Sequence, residues 1–200
     1  NAAVGALALT ANTTGNYNVA VGGSALAANT TAENNIAIGL NAMATNTTGE
    51  HNVAIGRDAL KANTTGANNA ALGTTALDSN TTGSYNVGVG YAAGGGITTG
   101  DKNIAIGQNT MAGDTVTADA NVAVGYRALQ AATSGGANIA IGQDALLSNT
   151  TGGDNTAVGN LAMDANTTGA NNVGVGVNAL GANTTASYNT AVGATALDAS

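Results

Sequence analysis

Cysteine, proline, tryptophan and phenylalanine are all missing from this 200-residue chain, and only 8% of its residues are charged. Without cysteine there can be no disulfide framework, and redox compartment cannot be read. Aromatic side chains supply much of the buried area of an ordinary domain. With five Tyr and no other aromatic, a single thick core is excluded in favour of a thin, elongated one built from small aliphatics. Four basic residues stand against eleven acidic ones, a net charge of −7, so the clustered cations of a nucleic-acid face or an anionic-lipid patch are lacking. No apolar run approaches the ~20 residues of a membrane helix. No signal peptide opens the chain, which starts without Met at "NAAVG" and is expected to be a segment of a longer protein.

What the chain does have is 30 Gly, an apolar fraction of 44% made mostly of Ala and Val, and one pattern repeated throughout. Asn, three small or aliphatic residues and Gly recur from Asn1, Asn18, Asn35, Asn52, Asn69, Asn86 and Asn103, then from Asn121, Asn138, Asn155, Asn172 and Asn189. The step is 17 residues, with one step of 18 between Asn103 and Asn121. Residues 1–200 thus form a single repeat domain of twelve units, with an irregular stretch at 91–135. The consensus is N-V-A-V-G-x-x-A-L-x-A-N-T-T-G-x-x, numbered below as positions 1–17. Position 1 is always Asn and position 5 always Gly; position 3 is Ala or Gly; position 4 is Val, Ile or Leu. Positions 6, 7, 10, 16 and 17 accept nearly anything.

V-A-V alternates with the two-residue period of a strand. Gly at position 5 permits a sharp turn, A-L-x-A reads as a second short strand, and N-T-T-G carries turn chemistry. No unit offers a 3.6-residue stripe. The chain is therefore predicted to be all-β, a parallel β-solenoid of 17-residue coils stacked ~4.8 Å apart, making a rod of roughly 55–60 Å. An Asn column at position 1 would pass amide hydrogen bonds from coil to coil. Positions 2, 4 and 9 are expected to fill the interior. Position 3 would then face outwards, yet it tolerates only Ala or Gly, which points to close contact with another backbone. Three aliphatics per coil also fall short of offsetting the ordering of 17 residues. A homo-oligomer is expected, with Ala20, Ala37, Ala54, Ala71, Gly88, Ala105, Ala123, Ala140, Ala157, Gly174 and Ala191 at the contact.

The stretches "NVAVGGSALA", "NIAIGLNAMA", "NVAIGRDALK" and "NIAIGQDALL" resemble the YadA-like head repeats of trimeric autotransporter adhesins. The resemblance covers every unit, although the family unit is about 14 residues and this one carries extra length in the N-T-T-G loop. It implies a left-handed β-roll, a homotrimer, and attachment to host surfaces, matrix proteins or glycans. Similar repeats occur in bacterial surface fibres and phage tail fibres. The functional expectation is a structural and adhesive rod segment of an extracellular fibre, on a cell surface or a virion, with a phage fibre shaft as the alternative and an ice-binding solenoid as a third class.

Sites of other kinds are weighed and set aside. Glu50-His51 has the composition of a catalytic pair but occupies free positions 16 and 17, where other units carry Asn16-Tyr17 or Ser84-Tyr85. "GVGYAAG" at 88–94 mimics a dinucleotide turn, but Gly88 and Gly90 are repeat positions 3 and 5, and the fingerprint needs a following helix. No metal-ligand spacing or nucleophile set appears, so no enzyme, cofactor or metal is expected. N-T-T is a glycosylation sequon, present eight times from Asn12 to Asn183: an acceptor in a eukaryotic secreted protein, a loop ladder in a bacterial or phage fibre. Thr13 and Thr14 are adjacent and should point opposite ways, unlike the paired outward Thr of an ice-binding face. Ligand contacts are expected among exposed, information-rich side chains: Arg57, Lys61, Tyr91, Tyr126 and Arg127. The irregular stretch 91–135 is either a tolerated loop variation or a bend or bulge for a ligand.

Overall fold

The computed structural model describes residues 1–198. Each coil contributes one three-residue strand: β1 (Ala2–Val4), β2 (Val19–Val21), β3 (Ile36–Ile38), β4 (Val53–Ile55), β5 (Ala70–Leu72) and β6 (Val87–Val89). The series continues with β7 (Ile104–Ile106), β8 (Val122–Val124), β9 (Ile139–Ile141), β10 (Thr156–Val158), β11 (Val173–Val175) and β12 (Thr190–Val192). They form one parallel sheet in strict sequence order. Equivalent residues stack in register, so Val21 pairs with Ile38 and Ile38 with Ile55. The 18-residue coil keeps that register, with Ile106 opposite Val124. The chain is a parallel β-solenoid of 17-residue coils.

The second strand does not form. A-L-x-A is a turn, because positions 7 and 9 both take left-handed backbone angles; Leu and Met at position 9 lie at φ of 44–56°. A bulky side chain rarely accepts such an angle. Here burial compensates for it: Leu26, Leu60, Leu77 and Met163 are wholly enclosed. An extended segment would send positions 8 and 9 to opposite faces, whereas the curled backbone turns both inwards, and Ala59 is as buried as Leu60. The segment still stacks on its copies, the Leu26 amide donating to the Ala42 carbonyl at 3.0 Å.

That turn reverses the expected sense of the sheet. With Leu and Ala of positions 8 and 9 filling the interior, the space opposite admits only a methyl group, and it is position 3 that points in. Ala20, Ala37, Ala54, Ala71, Ala105, Ala123, Ala140 and Ala157 are fully buried, and Ala191 nearly so. A β-carbon added to Gly88 would lie 2.8 Å from Leu77 Cγ, and one on Gly174 would lie 2.9 Å from Met163 Cγ. Position 3 stays small because it packs inside its own chain, on Leu77 at Gly88, on Met163 at Gly174 and beside Gly94 at Ala105, so these eleven residues line the interior of the coil and not a contact with another chain. Positions 2 and 4 face outwards.

Two asparagine columns complete the interior. At position 1, each Oδ1 accepts the backbone N–H of the next Asn, eleven links of 2.8–3.0 Å running from Asn1 to Asn189 without a break. At position 12, the Asn Nδ2 donates to Oδ1 of the preceding coil, as from Asn63 to Asn46 at 2.8 Å. The two columns meet at position 15, where the Gly66 carbonyl accepts from Asn52 Nδ2 at 2.9 Å and Asn63 Nδ2 at 3.0 Å. The buried side-chain polar groups of the corners are thereby satisfied, Asn80 Oδ1 excepted.

Candidate binding surfaces

The outward side chains of positions 2 and 4 make two parallel columns across the sheet, position 4 aliphatic throughout and position 2 aliphatic except for Thr156 and Thr190. Ile36, Ile38, Ile55, Ile106, Ile139 and Ile141 stand 37–40% exposed, and Leu72 47%. Between them lie half-buried Val19, Val53, Val87 and Ile104. Three residues per strand give a strip about 10 Å wide, and twelve strands make it roughly 55 Å long. A continuous apolar patch of this extent is at the upper end of what a monomer leaves bare, and such patches mark contact surfaces. Alternation in the sequence identifies two faces but not which of them is inside; positions 2 and 4, expected to fill the interior, are on the outer one.

Four of the five side chains expected to meet a ligand fall into two groups. Arg57 Nε and Lys61 Nζ both approach Asp58, at 3.5 and 3.4 Å. The Asn41 amide donates to the same carboxyl at 3.0 Å, and that hydrogen bond, assisted by the two cations, holds Asp58 below the usual carboxylate range. Arg127 Nε donates to Asp144 Oδ1 at 2.8 Å, which lowers the Asp144 pKa in the same way, with Gln143 adding a second hydrogen bond. The Arg127 guanidinium also lies 5.0 Å from the centroid of the Tyr126 ring. Tyr91 stands exposed two coils away, at the same position 6. Arg57-Lys61 and Tyr126-Arg127 are the two groups, and Tyr91 stands between them on the same corner, two coils from Arg57 as from Tyr126. Half-buried Asp78 and Asp164 behave oppositely: partial burial raises both carboxyls.

Within the irregular stretch the core itself changes. The second asparagine column stops at Asn80 and resumes at Asn149, and between them position 12 is taken by Ile97, Val116 and Ala132, all fully buried. Asn80 Oδ1, which Ile97 cannot serve, is left without a partner. Ile97 has another task. Its coil carries Gly94 where others have Leu or Met, and Ile97 Cδ1 reaches to 3.1 Å from where a Gly94 β-carbon would stand. On the surface of the next coils, the extra residue opens a cleft of about 520 Å³ lined by Ala112, Asp114, Gln130, Thr133, Leu147 and Ser148.

Glu50 and His51 sit on an exposed corner, Oε2 and Nδ1 3.9 Å apart, with Asn34 Nδ2 3.5 Å from the other ring nitrogen. No group of three or more potential metal ligands converges among the described residues. The sequon asparagines from Asn29 to Asn183 are buried in the second column, so a folded rod does not offer them as acceptors. Thr47 and its equivalents donate their hydroxyls to the next coil, at 3.0 Å to the Thr64 carbonyl, which leaves position 14 as a single exposed row. No family model, curated protein or solved structure matches this chain.

Proposed function

We propose that this chain is a structural and adhesive rod segment of an extracellular fibre, assembled as a homotrimer and holding surfaces multivalently. The observation that carries the reading is the bare aliphatic strip of positions 2 and 4, which runs the length of an otherwise satisfied solenoid. Three such strips facing one axis would share a common apolar core. Interfaces that hold stably bury on the order of 1,000 Å² or more, and strips of this length supply it when each meets two neighbours. The trimer number and the cell-surface or virion setting follow from the resemblance to YadA-like head repeats. Once assembled, each free position appears three times around the axis, so weak contacts add through effective concentration.

Sedimentation of the wild-type chain beside a triple variant, Val21→Lys, Ile38→Lys and Ile55→Lys, tests the assembly. The wild type should sediment as a trimer and the variant as a folded monomer with an unchanged β-sheet circular dichroism spectrum. A wild-type monomer at all concentrations would sink the proposal.

A further inference from the structure

Position 6 is a free position on a corner of the coil, just beyond the sheet. In four successive coils it reads Tyr91, Gln108, Tyr126, Gln143. All four side chains are exposed, and their backbones are stacked in register. The Asn109 amide donates to the Tyr91 carbonyl at 3.0 Å, the Arg127 amide to the Gln108 carbonyl at 3.0 Å, and the Asp144 amide to the Tyr126 carbonyl at 2.9 Å. An aromatic ring and a primary amide therefore alternate along the rod axis, with the rings two coils apart, about 9–10 Å at the spacing of paired strands.

We propose that this row is a binding track for a neutral, extended β-1,4-linked polysaccharide lying along the rod. In a flat β-1,4 chain the sugars alternate in facing, so the repeat is a disaccharide, whose length is close to two coils. Each ring would meet the apolar C–H face of every second pyranose, the geometry in which an exposed aromatic gives contact area without ordering many torsions. Gln108 and Gln143 would lie beside the intervening sugars, the Gln108 amide offering two donors and its carbonyl to equatorial hydroxyls, and Gln143, whose Nε2 donates to Asp144 at 3.2 Å, keeping one N–H and its carbonyl for them. Tyr126 is braced for this role: Arg127 lies over one side of its ring and is itself anchored on Asp144, which leaves the opposite side for a sugar. The chain's net charge of −7 and the pairing of Arg127 argue for a neutral glycan over an anionic one.

The track supplies a ligand class for the adhesive rod and rests on that reading. Its test is isothermal titration of the intact chain with cellohexaose and with chitohexaose, which distinguishes a glucose from an N-acetylglucosamine chain, beside maltohexaose as the α-linked control. At least one β-linked hexasaccharide should bind, maltohexaose should not, and Tyr91→Ala or Tyr126→Ala should each weaken binding at least tenfold. Tyr126→Phe, which keeps the ring, should bind within a fewfold of wild type, and Tyr85→Ala, on another corner, should leave binding unchanged. Absence of binding to both β-linked sugars, or binding indifferent to both alanine variants, overturns the track. Sedimentation of the same samples reports assembly separately, so a trimer that ignores glycans removes this inference alone.

Discussion

A buried asparagine is tolerated here because each of its polar atoms has a fixed correspondent in a neighbouring coil or at position 15. In Asn69, Oδ1 receives the Asn86 amide at 2.9 Å and Nδ2 serves the Gly83 carbonyl at 2.8 Å. Asn69→Ala would strand a buried N–H and remove one donor from a buried carbonyl, at a cost of about 2–3 kcal/mol, read as a lower urea midpoint with an unchanged slope. Asp144 shows the charged counterpart. Its folded pKa is depressed by Arg127, so the contribution to stability is complete above the unfolded carboxylate value and disappears as pH falls through the folded one. Asp144→Asn should therefore lower the melting temperature at neutral pH, with the difference from wild type closing in strong acid. Equal melting differences at every pH would remove the ion pair from the account.

Within one coil, the pieces compensate in pairs. Gly94 and Ile97 exchange roles with the Leu and Asn found elsewhere: one gives up volume at position 9, and the other returns it from position 12. Gly94→Leu alone should crowd both Leu77, whose Cδ2 lies 2.6 Å from a β-carbon placed there, and Ile97, and Ile97→Asn alone should leave a void beside Gly94. The double variant should recover stability and give Asn80 Oδ1 its missing donor, with a favourable coupling on the order of 0.5–3 kcal/mol in a double-mutant cycle of urea midpoints. Additive losses would contradict the exchange. This scale also separates what the sequence revealed from what it concealed. Coil length, register and the first asparagine column were legible, since Asn and Gly recur at fixed intervals and strand stacking leaves them one arrangement. The sense of the sheet was not, because V-A-V alternates equally well either way. The sign is set by Leu at position 9, whose left-handed backbone brings two adjacent residues inside, and such an angle for Leu cannot be anticipated from propensity. The exposed strip at positions 2 and 4 was hidden by the same inversion. Tyr91 and Tyr126 were legible as exposed, Arg127 proves half-buried beside Asp144, and the alternation with Gln108 and Gln143 appears only when equivalent corners are stacked.

Across the whole molecule, coils contact their immediate neighbours, so stability accumulates as a line of similar steps. Assembly through an aliphatic strip has its own signature. Raising sodium chloride should leave the sedimentation coefficient of the proposed trimer nearly unchanged, since few charges lie in the contact to be screened, while sulfate should shift dissociation to lower protein concentration. Dissociation by sodium chloride alone would indicate an ionic contact instead. The unbroken column from Asn1 to Asn189 has a further consequence. By fixing every coil at the same increment, it turns the shaft into a graduated ruler, on which a chemical group written at a free corner has a known address. Moving that group from one coil to another shifts it by a whole number of graduations, so the outer pattern can be rewritten while the scale beneath it stays constant.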